Sequence, residues 1–558
     1  MNRRLTSMRP SIRTTATAAI ALASLLLAPA WIAVAPASAA TLDVCPHGCA
    51  YSQVAAAAAS ANNGDTVNVA PGTYQGGFTI SKDLTLNGAG ARQTTISGGG
   101  PVITVGVYNA GSEPTVGISG VTITGGDTNS AFGENNLALG GGVWVPPATN
   151  NGSGATLTIT GSVIKGNAVA PTSAVDAGFS CGPTGDCQFA QAGGGGIDSW
   201  GDVTLEHTTV SNNTAAGAVT SDADGAGIYS QQGTLTVEGS VVTGNRAIAT
   251  APDGRFAEGA GIMFDTSFSP PNTCVAPAPT CALVIRNSVV SGNASTLTSN
   301  LPSFGDGALI NMNANAGGIH VGDDIPTTVQ NTTIGGNSVT ATDPEGEPAA
   351  FDAAINVGDS PLTMQNADID HNRGITTSAT SVDSGPSGTA IELDGPGTIS
   401  DTKIDDNVAT STSPNGAAAT NGGLAVFNFT GDPPLVTVEN SVISGNITQA
   451  QSSTGSASVL GGAVFNNSLL VMRNVQISDN VGRAAGPTGV AQGGGIWNGV
   501  DLSGPPVQLT LENTSVTNNV LTGTTGITLQ GGGLFTTSPV TLTNTTIERN
   551  QPDQCVGC

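Results

Sequence analysis

The residues of this 558-residue chain best placed to do chemistry are aspartates set in register. Asp324, Asp359 and Asp394 lie 35 residues apart, and Asp370 and Asp405 repeat that interval. Carboxylates held about 5 Å apart repel each other unless a proton or a cation lies between them. Outside a cell the natural cation is calcium, which takes about six to eight oxygen ligands. Two readings stay open for these five residues: a calcium ladder, or separate, solvated turn caps. Gly322-Asp323-Asp324, two residues after His320, offers adjacent carboxyls, so Asp323 and Asp324 are the candidates for acid–base catalysis; the competing reading is an ordinary turn. His207 and His371 fall at positions that suit turns better than proton transfer. No phosphate loop, nucleophile elbow, dinucleotide fingerprint or EF-hand is present.

The cysteines form four close pairs: Cys45 with Cys49, Cys181 with Cys187, Cys274 with Cys281, and Cys555 with Cys558. In an exported chain such spacing suggests local disulfides. Zinc is the alternative, with His47 inside CPHGC as its lone histidine candidate.

What must position these groups is an eleven-residue frame, seen cleanly at Leu509 to Asn519 (LTLENTSVTNN). Apolar residues fill its first, third and eighth places. The frame recurs twelve times, closing on Gly126, Asn167, Asn213, Asn245, Asn293, Asn337, Asn372, Asn407, Asn446, Asn480, Asn519 and Asn550. The fifth place becomes a second polar column, through Asn287, Asn331, Asn366, Asp401, Asn440, Asn474, Asn513 and Asn544. Alternation inside the frame is the signature of a short strand, and a period of 31 to 48 residues means stacked coils. Asparagine accepts a left-handed backbone, so the closing amide is expected at a tight corner, beside its counterparts above and below. Glycine-rich elements precede the frames, as in GGGVW at Gly140, GAGIY at Gly225, GGIH at Gly317 and GGGIW at Gly493. Between a closing asparagine and the next glycine element run tracts rich in Ala, Ser, Thr, Gly and Pro, expected to leave the stack at one corner as a ragged wall.

Residues 1–40 carry Arg3, Arg4, Arg9 and Arg13, an apolar run interrupted by Pro29, and an A-x-A site at Ala37-Ser38-Ala39. This pattern predicts a cleaved signal peptide and secretion. No later stretch is apolar enough to span a bilayer, and no transmembrane anchor is expected. All forty acidic side chains but only eleven of the fifteen basic ones follow residue 40. That balance argues against nucleic acid or anionic membrane as partner, and suits cations or neutral polymers. The expected organisation is one domain over 41–558: a cap and first coils at 41–115, twelve asparagine coils at 116–550, and a tail at 551–558.

The opening order is specific: a helix-compatible Tyr51 to Ala61, Gly64-Asp65, a strand, Pro71-Gly72-Thr73-Tyr74, a strand, then Leu84 to Gly90 (LTLNGAG) and Thr94-Thr95-Ile96. It resembles the start of right-handed parallel β-helix proteins of the pectin-lyase-like superfamily. The glycine element with its later asparagine is similar to repeats of polymorphic outer-membrane-protein and other adhesin-like β-helices. The resemblance implies an all-β, single-stranded right-handed parallel β-helix with a short helix capping its first coil. Gly322-Asp323-Asp324 resembles the paired-aspartate motif of galacturonan hydrolases of this fold, whose Asn-Thr-Asp, Gly-His-Gly and Arg-Ile-Lys motifs occur nowhere in this chain. The functional expectation is a secreted or surface-associated binding or structural protein, adhesin-like, meeting an extracellular polysaccharide or cell-surface component. The competing class is a polysaccharide lyase or glycoside hydrolase. Trp144 and Trp497, which follow glycine elements, are expected to pack on neighbouring coils.

Overall fold

The computed structural model describes residues 39–558 apart from 112, 131–136, 150–152, 173–189, 217–221, 251–255, 267–273, 275–280, 299–312, 344–347, 380–389, 429–432 and 501–506. Alternation within each frame puts Leu509, Leu511 and Val516 on one side of the backbone, and all three are buried. The coil that contains them shows the rule. A first strand, Gln508–Glu512, ends at Asn513, whose φ is 50°. A second strand, Ser515–Thr517, ends at Asn518, φ 58°, followed by Asn519. An outgoing strand, Val520–Gly523, and an incoming strand, Ile527–Gln530, leave and rejoin the stack. Gly531, φ 69°, turns the chain into a third strand, Leu534–Thr536, which leads to the next coil.

Every pairing between coils is parallel, and among the described residues the first, second and third strands build sheets of 15, 14 and 14 strands. This is a right-handed parallel β-helix, the hand that parallel crossovers adopt almost without exception. Its core is the column of inward Val, Ile and Leu from all three sheets. Outward, the middle of the first strand is a nearly unbroken threonine column, with Thr328, Thr363, Thr398 and Thr437 in consecutive register. β-Branched residues fit such a pleated surface.

The asparagine columns separate into two devices. At the fifth place the residue itself is left-handed, as at Asn287, Asn331, Asn366, Asp401 and Asn440, with φ near 50°. The corner expected at the eleventh place is displaced by one residue. The left-handed position is the tenth, held by Gly244, Gly292, Gly336, His371, Asp406, Gly445, Asp479 and Asn518. The closing asparagine turns inward instead and is buried. Asn293, Asn337, Asn372, Asn407, Asn446, Asn480 and Asn519 form one ladder: each Nδ2 donates to the next Oδ1 at 2.9–3.1 Å. Each Oδ1 also accepts the backbone N–H of the preceding asparagine, and each Nδ2 also donates to a carbonyl one coil back. Four bonds per amide leave none of its capacity unused.

The excursions are not ragged. Outgoing strands make an 11-stranded sheet, and incoming strands make sheets of six and four strands beside it. Between them lies a second, alanine-rich core, with Ala223, Ala257, Ala314 and Ala350 of the incoming strands facing Ala247, Ala249, Leu297, Val339 and Ala341. Small side chains let these two sheets approach closely, and the alternation Asp222-Ala223-Asp224, Phe256-Ala257-Glu258, Asn313-Ala314-Asn315 is its sequence signal.

Both ends of the stack are closed by polar groups or by helix. Thr41–Val44 pairs with Asp65–Val69, and the helix Val54–Ser60 turns Val54, Ala57 and Ala58 onto the core of that first coil. At the other end, Gln554 substitutes for a missing asparagine: its Oε1 accepts from Asn550 N at 2.9 Å and from Asn550 Nδ2 at 3.2 Å. Disulfides join Cys45 to Cys49, Cys274 to Cys281 and Cys555 to Cys558. Cys181 and Cys187 lie outside the described residues. Among the described residues no helix is long and apolar enough to cross a membrane.

Candidate carboxyl-lined furrow

Because alanines of the incoming strand face the side core, the residues flanking them face the outer surface of the third sheet. A Cβ built at Gly193, on an incoming strand, would lie 2.7 Å from Cδ1 of Tyr229 on the third sheet. The two sheets therefore close on each other along a furrow-like seam, packed at its floor and partly exposed only at its lip. Its floor is the middle position of the third strand, in register through Trp144, Asp198, Tyr229, Met263, His320, Asn356 and Glu392. Its wall is the incoming column of Asp224, Glu258, Asn315 and Phe351. Asp198, Asp224, Tyr229 and Glu392 are buried, whereas Trp144, Phe256, Glu258, Asn315, His320 and Phe351 are half-buried and form the mouth. Farther along, the floor turns aromatic: Phe465 stacks on Trp497 with centroids 4.6 Å apart and planes within 3°, and Phe427 tilts against Phe465 at 5.0 Å. The Trp497 indole N–H donates to Gln492 at 3.4 Å.

Burial without a counter-charge sets the electrostatics. It pushes the Asp198 carboxyl up to about 8, against the hydrogen bond from Gln231 and the adjoining Trp144. Asp224 is driven well above the ordinary carboxyl range by burial and then by Glu258 and Asp222. Glu258 is raised by burial, partly offset by His320. Asp352 and Glu392 lie within hydrogen-bond reach and share protons: burial takes Asp352 to about 6, while burial and then Asp352 hold Glu392 well above its usual value. Desolvation, and then Asp352, Asp323 and Asp359, raise Asp394 to about 7. Several furrow atoms are buried with no hydrogen-bond partner: Asp198 Oδ1, Tyr229 Oη, Asn315 Oδ1, His320 Nδ1 and Asp352 Oδ1.

Asp352 holds a position that most coils give to glycine. Gly225 and Gly259 stand there with φ near 50°, and Asp352 adopts φ 49°. A Cβ at Gly225 would be 2.7 Å from Cβ of Tyr229; at Asp352 the facing residue is the smaller Asn356, which donates to its carboxylate at 3.2 Å. The sequence reading missed this group because Phe351-Asp352-Ala353-Ala354 carries no glycine. An acid replacing glycine in register was the available signal, as were Asp224-Gly225 and Glu258-Gly259.

The residues expected to do chemistry fall elsewhere. Asp323 and Asp324 are exposed at the turn after the third strand, Asp324 in a left-handed conformation, and only His320 of that segment reaches the furrow. Asp324, Asp359 and Asp394 do not stack uniformly, because the turn loses a residue in each coil: Val321 to Thr327, Val357 to Leu362, Leu393 to Gly397. Asp359 N donates to Asp323 Oδ1 at 3.0 Å, so Asp323 lies nearer Asp359 than the even spacing implied. Asp370 and Asp405 do pair in register, and each also meets a basic side chain: the Asp370 carboxylate is 2.8 Å from His371 Nδ1 and that of Asp405 2.6 Å from Lys403 Nζ. Among the described residues no group of three or more His, Cys, Asp or Glu side chains is placed to hold one metal ion. His207 stands at the left-handed fifth place.

No family model matches the sequence, and no curated protein matches it. Two solved structures align along most of the chain. A mannuronic acid specific polysaccharide family 6 lyase from human gut microbiota matches at 10% identity and TM-score 0.27, over 83% of this chain and 82% of that one. The PL6 family alginate lyase AlyGC matches at 12% identity and TM-score 0.17, over 90% of this chain and 98% of that one. At such distance the chemistry of this chain rests on its own furrow.

Proposed function

We propose that this protein is a secreted polysaccharide-binding solenoid and that the furrow is its binding surface. The observation that carries the reading is the composition of the partly exposed lip of this furrow. Half-buried Trp144, Phe256 and Phe351 offer faces for sugar rings, and Glu258, Asn315 and His320 beside them offer hydrogen bonds that their own coils leave partly unused. A groove parallel to the stack suits an extended polymer better than a compact ligand. The signal-like residues 1–40 and the disulfides support action outside the cell.

Binding is favoured over turnover by the geometry of the most closely coupled carboxyl pair. Retaining glycosidases need their carboxyls about 5–5.5 Å apart and inverting ones about 6.5–9.5 Å. Asp352 and Glu392 are within hydrogen-bond reach of one another, too close to leave room for a sugar or a water between them. The test is affinity electrophoresis of the mature chain through a panel of neutral, acidic and amino polysaccharides, with reducing ends and unsaturated products assayed in parallel. Retardation by at least one polymer that weakens in Trp144→Ala, without product, is expected. Retardation by none, or robust product formation, refutes the reading.

A further inference from the structure

The groups left without partners in the furrow include three side-chain oxygens of Asp and Asn, beside the Tyr229 hydroxyl and His320 Nδ1, which can donate or accept. Asp198 Oδ1, Asn315 Oδ1 and Asp352 Oδ1 are oxygens with lone pairs to spare, and the Tyr229 hydroxyl, fully buried, also lacks a partner. The elements packed around Tyr229 present Asp198 on its own sheet, Asp224 and Glu258 on the incoming strands, and Asp265 beyond the third strand. The basic side chain facing this group is the His320 imidazole, next to Glu258. No Lys or Arg stands on either sheet of the furrow among the described residues.

We propose that the furrow is built for a polysaccharide that carries free amines, an amino-sugar polymer bearing ammonium groups. The proposal rests on the reading of the furrow as a polysaccharide site and names its substrate class. An ammonium has three donors and no acceptor, the complement of a pocket rich in unmatched acceptors. It supplies positive charge beside the carboxyls through charge-assisted hydrogen bonds at the half-buried Glu258 and Asn315, with the buried Tyr229 and Asp224 behind them. A neutral polymer offers hydroxyl donors without the charge, and an acidic one is repelled. The raised carboxyls fit the same picture, since they keep their protons for want of a cation and would release them as an ammonium enters.

The test compares glucosamine oligosaccharides with their N-acetylated counterparts, which share the backbone but lack the charge, by titration calorimetry in two buffers of different ionisation enthalpy. Expected are roughly tenfold or greater preference for the free amine, proton release on binding, and loss of most of that preference in Glu258→Gln. Tyr229→Phe, which keeps the ring, should also reduce it, and unchanged melting curves would show both variants folded. Equal affinity for the two oligosaccharides, or a preference untouched in both variants, overturns the proposal while leaving polysaccharide binding intact. Calcium that binds at Glu258 and blocks the oligosaccharide also overturns it, by assigning the pocket to a metal. Failure to bind any glycan of the wider panel removes the underlying reading as well.

Discussion

Replacing Asn480 with alanine removes four buried hydrogen bonds at once. Its Oδ1 accepts from Asn446 N at 2.9 Å and Asn446 Nδ2 at 3.0 Å, and its Nδ2 donates to Ile443 O at 3.1 Å and Asn519 Oδ1 at 2.9 Å. Asn519 Oδ1 keeps the backbone N–H of residue 480, so it is not orphaned. Two donors on Asn446 and the carbonyl of Ile443 are. A buried orphan costs roughly 1–3 kcal/mol, so the expected loss is about 3–6 kcal/mol after partial relaxation. Asn550 makes as many side-chain bonds, but the partner beyond it is the exposed Gln554, and water can enter from the open end. Asn550→Ala should therefore cost only about 1–2 kcal/mol. Asn480→Asp is the sharper probe, because it keeps both acceptors and deletes both donors, leaving a carboxylate against Ile443 O and Asn519 Oδ1. It should be worse than alanine at pH 8 and better at pH 4, where the acid can donate one bond. The assay is hydrogen exchange at the amide of Asn446 together with thermal melting, since a solenoid can lose coils locally. Unchanged protection at Asn446 in Asn480→Ala, or equal melting shifts for positions 480 and 550, would refute the ladder energetics.

The remaining outcomes are as specific. Asp198, Asp352 and Asp394 have folded-state values of about 8, 6 and 7, above the unfolded carboxyl range. The folded chain thus binds more protons than the unfolded one between about pH 4 and 8, and stability falls as pH rises through that window. Melting at pH 5 should exceed melting at pH 8, and Asp198→Asn should flatten the slope; a slope unaffected by that change contradicts the assignment. Asp352→Gly relieves a left-handed non-glycine residue and removes a buried carboxyl beside Glu392, so it should raise stability by about 1 kcal/mol; a lower melting temperature would count against it. Gln554→Ala should speed hydrogen exchange at Asn550 and leave Asn446 unchanged. Millimolar calcium should leave the melting temperature of the native chain unchanged, whereas an increment abolished by Asp359→Ala would restore the aspartate ladder.

The sequence carried the stack well and the furrow poorly, for a physical reason. Inward residues such as Val516 and Asn519 face the same environment in every coil, so their identities repeat and their columns are legible. Furrow residues differ from coil to coil, since Trp144, Asp198, Tyr229, Met263 and His320 share a column without sharing a type. Nothing periodic marks them. The aspartates that did repeat, Asp324, Asp359 and Asp394, owe their interval to loops of unequal length. The side lobe was hidden for another reason. An alanine core has too little contrast with the Ser, Thr and Gly around it to stand out in hydropathy, although its alternation was present.

The ladder also makes the molecule a one-way stack of interchangeable tiles. Each amide hands the next coil the same donor and receives from the one before the same demand, so any two coils can be neighbours. Cutting out the segment from one closing asparagine to the next, or duplicating it, rejoins identical surfaces and leaves every remaining amide fully bonded. A cut that removes part of such a segment breaks the translation and strands buried groups. The length of this protein is thereby free to drift in whole-coil steps, and the ladder is what enforces the step.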